Sequence, residues 1–216
     1  MIYIYTDMEQ FSENDYIKCQ KLLSADRLRE NEHFAFYENR KQSMLAYLLL
    51  RYALLVEYGI YSQPQLRKDG NGKPYLKSME WIHINLSHCC KGIMCGVSKH
   101  EIGVDIQEHV PYDENDFRSV LTPSEIKAIN SDAEFAKIWT LKECYGKYTG
   151  EGITYSLDSM DFSDIGTEWC KRHGHLFSSE CTSETADSVC ADEVMERITV
   201  SHGMLLKAMA RILSKE

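Results

Sequence analysis

The 216-residue sequence has no Cys-x-x-Cys pair, no Gly-x-Gly-x-x-Gly stretch, no Walker-type loop and no excess of positive charge. Each absence removes a class of protein. Without paired Cys-x-x-Cys units the 8 cysteines build neither a zinc ribbon nor a dithiol redox centre. Cys170, His173 and His175 come nearest to zinc-ligand spacing, but a second half-site is missing, so the segment reads as a surface turn. Without the glycine-rich loops, the common dinucleotide and nucleotide cradles are excluded. A net charge of −9 argues against wholesale nucleic-acid binding, which calls for a basic surface. The longest apolar stretch, Met44 to Ile60, is interrupted by Arg51 and Glu57 and reads as an amphipathic core helix rather than a membrane span. The apolar start, Met1 to Tyr5, is too short for a secretory signal. The expectation is a cytoplasmic protein with reduced thiols, mostly filling the core.

What is present is an ordinary globular composition, long enough for one large domain or two small halves. A first strand is expected over Ile2–Tyr5, helical pattern over 13–33, and a long helix over Glu38–Tyr58 that ends at Gly59. Asp69-Gly70-Asn71-Gly72 is turn chemistry. Three short strands follow, His83–Ser87, Ile93–Val97 and Ile102–Gln107, and their small turns predict one antiparallel sheet. Thr122-Pro123-Ser124-Glu125 and Ser131-Asp132-Ala133-Glu134 both open helices, the second running to Gly150. Beyond Gly152 the pattern weakens: one or two strands over 153–163, another over His175–Ser178, a polar loop over 179–193 and a helix over Ser201–Lys215. Helices then strands before residue 102, and strand, helices, strands after it, place a boundary between 1–101 and 102–216.

Two segments carry chemistry. In Gly103-Val104-Asp105-Ile106-Gln107 the period of a strand puts Asp105 and Gln107 on one face, with Val104 and Ile106 on the other. In Trp139–Lys147, helical spacing aligns Trp139, Glu143 and Lys147, and Lys142 and Lys147 flank the carboxylate of Glu143. Taken alone, the first fits a half-solvated strand and the second a surface Glu–Lys pair. Together they offer carboxylates and ammonium groups suited to a hard divalent cation and phosphate oxygens. Asn85-Leu86-Ser87-His88 and Gly72-Lys73-Pro74 are each weak: a strand end and a hairpin turn. Glu125 is explained as the return half of its capping box.

In this order the four segments resemble the Sfp-type 4′-phosphopantetheinyl transferases. Gly103–Gln107 is similar to the family's strand motif G-[IV]-D-[IV]-E. Trp139–Lys147 is similar to its helix motif W-x-x-K-E-[AS]-x-x-K, with Asn85–His88 and Gly72–Pro74 matching two upstream motifs. The resemblance covers roughly residues 1–162. It implies an α+β pseudo-dimer of two similar halves, each a small antiparallel sheet packed on a long helix, with the site between them and a monomer sufficient for function. It implies transfer of the phosphopantetheine arm of coenzyme A to a serine hydroxyl of an acyl or peptidyl carrier protein, with release of 3′,5′-ADP. By the same resemblance Asp105 and Glu143 would hold Mg²⁺, or Mn²⁺ in its place, with Gln107 or a water at the third position. Glu143 would accept the serine proton, directly or through a metal-bound water, Lys142 would assist charge stabilisation and Lys147 would contact the pyrophosphate. Arg27, Ser43, Lys73, Pro74, Ser87 and His88 would hold the nucleotide end. The family's last strand-motif residue is Glu where this sequence has Gln107, and the C-terminal third departs from the family pattern. Two rival readings of the same residues are a metal-dependent nucleotide pyrophosphate hydrolase and a non-catalytic coenzyme A-binding protein.

Overall fold

The structure is a computed structural model that describes residues 1–152 and 155–215. In chain order the elements are β1 (Ile2–Tyr5), α1 (Glu13–Cys19), α2 (Ala25–Glu32), α3 (Tyr37–Tyr58), β2 (Leu66–Lys68), β3 (Pro74–Leu76), β4 (His83–Cys89), β5 (Gly92–Ser98) and β6 (Ile102–Glu108). They continue with α4 (Glu114–Phe117), α5 (Pro123–Ala128), α6 (Asp132–Thr149), β7 (Cys170–Arg172), β8 (His175–Cys181), β9 (Thr185–Ala191), β10 (Arg197–Thr199) and α7 (His202–Leu213). This is an α+β fold with two four-stranded sheets, ordered β10-β1-β5-β4 and β6-β9-β8-β7, and a small β2–β3 hairpin. All pairings are antiparallel except β1 with β10.

Each large sheet carries one long helix: α3 packs on the first and α6 on the second. Alternation then sorts the side chains. Val104 and Ile106 face inward, joining Ile2, Ile4 and Met94 in a core between the two sheets. Residues 103, 105 and 107 face α6. A Cβ at Gly103 would collide with the Cys144 carbonyl, so glycine lets α6 lie close against β6. Gly150, at φ 76°, ends α6 in the left-handed conformation that glycine adopts without steric cost.

Several sequence expectations are corrected. The helical stretch over 13–33 breaks after α1, because the Ser24 hydroxyl caps a new helix by accepting from Arg27 N. β6 does not join β4 and β5 in one sheet; it pairs with β9. Of the strands expected over 153–163, Ile153 and Thr154 lie outside the described residues. Tyr155–Ser159 forms a 3₁₀ turn, and the Leu157 and Met160 carbonyls accept from Lys142 rather than from a neighbouring strand. Most of the polar stretch 179–193 is not a loop but the end of β8 and all of β9, whose residues are buried throughout. Its hydroxyls satisfy one another: Thr140 Oγ1 lies 2.7 Å from Ser188 Oγ, which donates to Ser179 Oγ at 2.9 Å. After β9 the chain returns to the first sheet. β10 lies parallel to β1, and Leu205, Met209 and Ile212 of α7 enter the core around α3. No helix among the described residues is long and apolar enough to cross a membrane.

Candidate functional site

The two sheets meet edge to edge at β4 and β6, and side chains make the seam. Asn85 Oδ1 accepts from Val104 N at 3.0 Å, and Ser87 Oγ accepts from Ile106 N at 3.3 Å. Two residues apart on a strand, Asn85 and Ser87 share a face, so one strand's side chains satisfy the free edge of the other. Asn85 was not assigned a role from sequence; the i, i+2 pair of small polar residues set among Ile84 and Leu86 is the signal that would have found it.

Asp105 stands at this seam, 5% exposed. Ser87 Oγ donates to its Oδ1 at 2.6 Å, and Lys147 Nζ donates to the same oxygen at 2.5 Å and to Ser87 Oγ at 3.0 Å. Glu143, one turn before Lys147, shares the cleft. Its carboxyl is pushed above the ordinary glutamate value, first by burial and then by the negative charge of Asp105, against the opposing pull of Lys147. Leu86, His88, Gln107 and Trp139 complete the wall of a cleft of about 280 Å³. A second cavity of about 210 Å³ adjoins it, sharing Leu86 and Lys147 and lined further by Gly72, Lys73, Pro74 and Asn85. The structure therefore brings together Asp105, Gln107, Glu143, Lys147, Ser87 and His88, with Lys73 and Pro74 in the adjoining space.

Lys73 Nζ is held by Glu101 at 2.6 Å and by the Tyr148 carbonyl at 2.9 Å, which ties the β2–β3 hairpin to the end of α6. His88 Nδ1 meets Gln42 Oε1 at 3.2 Å. Partly open to solvent, its ring is pushed below the usual histidine value by the water it has lost, and further by the charges of Lys147 and Arg27. Arg27 lines a separate cavity of about 260 Å³ with Ser24, Tyr47 and Gln65, donating to the Ser43 carbonyl at 3.1 Å and paired with Glu30 at 2.7 Å. Arg27 Nε and Ser43 Oγ are buried without a hydrogen-bond partner. The charges of Arg27 and Lys147 both act on His88, although Arg27 and Lys147 line different cavities.

Lys142 is not brought into this cluster. One residue from Glu143 is a rotation of about 100° around a helix, and that turns Lys142 into the interior, 0% exposed. There it pairs with Glu125 at 2.9 Å and donates to the Leu157 and Met160 carbonyls at 2.7 and 3.0 Å. The expectation of a phosphate-side role for Lys142 is corrected on this geometry: its ammonium is already saturated. Glu125 keeps its capping box with Thr122 and also accepts from Phe162 N at 3.1 Å, so it pins α5, α6 and the following loop together.

Among the described residues no group of three or more His, Cys, Asp or Glu could hold a metal ion. Gln107, where a third carboxylate would stand, accounts for this: the cleft has two carboxylates and an amide.

A family model described as the 4′-phosphopantetheinyl transferase superfamily matches residues 101–195, a span holding Asp105, Gln107, Glu143 and Lys147. The chain is 28% identical over 154 residues to the 4′-phosphopantetheinyl transferase psf-1 of Bacillus pumilus, covering 66% of this chain and 64% of that protein. It is 27% identical over 166 residues to a 4′-phosphopantetheinyl transferase of Bacillus subtilis, covering 73% of each. A third relative, the 4′-phosphopantetheinyl transferase gsp of Aneurinibacillus migulanus, is 30% identical over 152 residues, with 64% of this chain and 62% of that protein covered. The matches thus span about two thirds of these relatives' lengths. The four motifs in their order, the site they assemble and these likenesses make the chain similar to the 4′-phosphopantetheinyl transferases, the Sfp protein of Bacillus subtilis among them.

Proposed function

We propose that the protein transfers the 4′-phosphopantetheine arm of coenzyme A to a serine hydroxyl of an acyl or peptidyl carrier protein. The observation that carries this reading is the closed set of Asp105, Ser87 and Lys147 facing Glu143 across one cleft. In the reaction the serine oxygen attacks the diphosphate phosphorus that bears the pantetheine arm. A new O–P bond forms, the bridging P–O bond breaks, 3′,5′-ADP leaves and the serine proton is taken up. Glu143 accepts that proton, directly or through an intervening water, from its place in the cleft beside Asp105 and Lys147.

The cleft fits a divalent cation. Two carboxylates close enough for one to raise the other's pKa are a donor set that a cation relieves. Mg²⁺ takes one or two carboxylates, with water and substrate phosphates filling its shell, rather than a full protein cage. Asp105 and Glu143 would hold Mg²⁺ or Mn²⁺, with the Gln107 amide as a neutral third donor. The bound ion would supply charge neutralisation at the diphosphate oxygens. Lys147 adds an ammonium on the same side. Arg27, Ser43, His88, Lys73 and Pro74 form the nucleotide end, where the orphaned Arg27 Nε and Ser43 Oγ suit an anionic phosphate. Ser87 acts through Asp105, since its hydroxyl proton is committed there.

On this reading the chain is a pseudo-dimer of an N-terminal half, 1–101, holding the nucleotide end, and a C-terminal half, 102–216, holding the metal and catalytic groups. β10 and α7 return to brace the first. Both sides of the site come from one chain, so a monomer suffices. The test is incubation with coenzyme A, Mg²⁺ and a panel of apo-carrier proteins, read by mass spectrometry. The expected result is one added phosphopantetheine arm on a carrier serine and 3′,5′-ADP release only when carrier is present. Release without carrier would mark a hydrolase, and no mass increase on any carrier would overturn the reading.

A further inference from the structure

We propose that Lys147 is the resident counter-ion of Asp105 in the free protein, holding the place of the divalent cation until a diphosphate draws it away. The inference rests on the function proposed above and adds an order of loading to it. Asp105 Oδ1 already accepts two donors, Lys147 Nζ at 2.5 Å and Ser87 Oγ at 2.6 Å, and Lys147 also reaches Ser87 Oγ. The three groups close on themselves: the ammonium neutralises a carboxylate that is only 5% exposed, and Ser87 fixes the orientation of both. A buried carboxylate is costly without such a partner. A divalent cation and this ammonium cannot share one carboxylate oxygen without strong repulsion at short range. In the free protein the metal therefore competes with a cation tethered to the chain.

Lys147 has somewhere else to go. It lies in the last turn of α6, its side chain is 28% exposed, and it lines both the cleft and the adjoining cavity. A flexible four-carbon stem lets the head leave Asp105 for phosphate oxygens arriving from the neighbouring cavity. Metal and diphosphate then tighten each other's binding, as linkage requires of two ligands that favour the same side-chain arrangement.

The test is Mn²⁺ binding to the full chain, followed by electron paramagnetic resonance of the free ion, without and with coenzyme A. Four proteins are compared, each checked by thermal melting: the unmodified chain, Lys147→Met, Lys147→Arg and Lys73→Met. With Mn²⁺ alone, Lys147→Met is expected to bind at least tenfold more tightly than the unmodified chain. Lys147→Arg, which keeps the charge in place, should bind as weakly as the unmodified chain. Lys73→Met, which removes a nearby positive charge not seated on Asp105, should stay within twofold of it. Coenzyme A should raise Mn²⁺ affinity at least tenfold in the unmodified chain and by less in Lys147→Met. Equal Mn²⁺ affinity of the unmodified chain and Lys147→Met overturns the counter-ion role, and so does an equal gain from Lys73→Met, while leaving the transfer reaction standing. No Mn²⁺ binding by any of the four, even with coenzyme A, overturns the metal site itself.

Discussion

At the scale of single residues, the cleft keeps charge of one sign against charge of the other in a small, partly dry space. His88 shows the consequence most directly. Burial and its two cationic neighbours, Lys147 and Arg27, lower its pKa, so near pH 7 the free protein carries it neutral. A phosphate placed beside His88 reverses the balance, because an anion favours the protonated ring. Coenzyme A binding near pH 7 should therefore be accompanied by uptake of up to one proton per site. Calorimetry in two buffers of different ionisation enthalpy reads this directly, and His88→Gln should abolish the buffer dependence. Identical heats in both buffers for the unmodified chain would show that no anion reaches His88. The sign extends to stability: a histidine lowered in the folded state contributes fully above its unfolded value of about 6.5. That contribution declines as pH falls below this value and is gone once pH has passed the lower folded one, because the unfolded chain binds the proton more readily in between.

At the scale of elements, the helix that carries Glu143 and Lys147 is anchored by the residue beside Glu143. Lys142 and Glu125 are a fully buried ion pair joining α6 to α5, and two further carbonyls saturate the ammonium. Removing one partner strands the other charge in the interior, which costs about 3–5 kcal/mol. Lys142→Met should lower stability by that order, and the double change Lys142→Met with Glu125→Leu should recover part of the loss, both measured by urea denaturation. If Lys142→Met instead left stability intact and raised only the coenzyme A requirement, the buried pair would not be the role of Lys142.

The same helix explains what the sequence made legible. A period of two in Gly103–Gln107 and a spacing of four in Trp139, Glu143 and Lys147 are local rules, and both faces fell where the periodicity put them. Lys142 escaped because its destination depends on Glu125, seventeen positions back, and on carbonyls from a loop after the helix. β9 escaped for a related reason. Thr185–Ala191 is short on large apolar side chains and reads as a surface loop, but it is buried because Ser188, Ser179 and Thr140 satisfy one another across two strands and α6. Composition records that a residue is polar; only the assembled sheet shows that its partners are other buried hydroxyls. The seam of Asn85 and Ser87 with β6 belongs to the same class, since those side chains complete the edge of a strand from the other sheet.

At the scale of the whole molecule, the two sheets must hold their relative position for Ser87 on one to orient Asp105 on the other. Besides the apolar core between them, charged pairs cross that interface, among them Lys91 with Glu184 at the exposed turns and Arg197 with Asp187, the more buried of the two. Arg197 of β10 donates to Asp187 of β9 at 2.9 Å, and also to Ser178 Oγ at 2.9 Å and to the Ser178 carbonyl at 3.0 Å. Two opposed effects act on Asp187. Arg197 stabilises its charge, but burial costs more, and the carboxyl is pushed up to about 6 from an ordinary 3.8. Because the folded protein holds this proton more tightly than the unfolded chain, the group's contribution to stability is complete below about pH 4. It is lost as pH rises through about 6. Asp187→Asn keeps a neutral group of the same shape at every pH and so lacks this dependence. The stability of the unmodified chain relative to Asp187→Asn should fall by about 2 kcal/mol between pH 4.5 and pH 6.5, measured by urea denaturation at the two values. A difference that instead grew with pH would mean that the attraction of Arg197 exceeds the cost of burial. The inter-sheet clamp would then be a true ion pair, tightest in the neutral range where the site is expected to work.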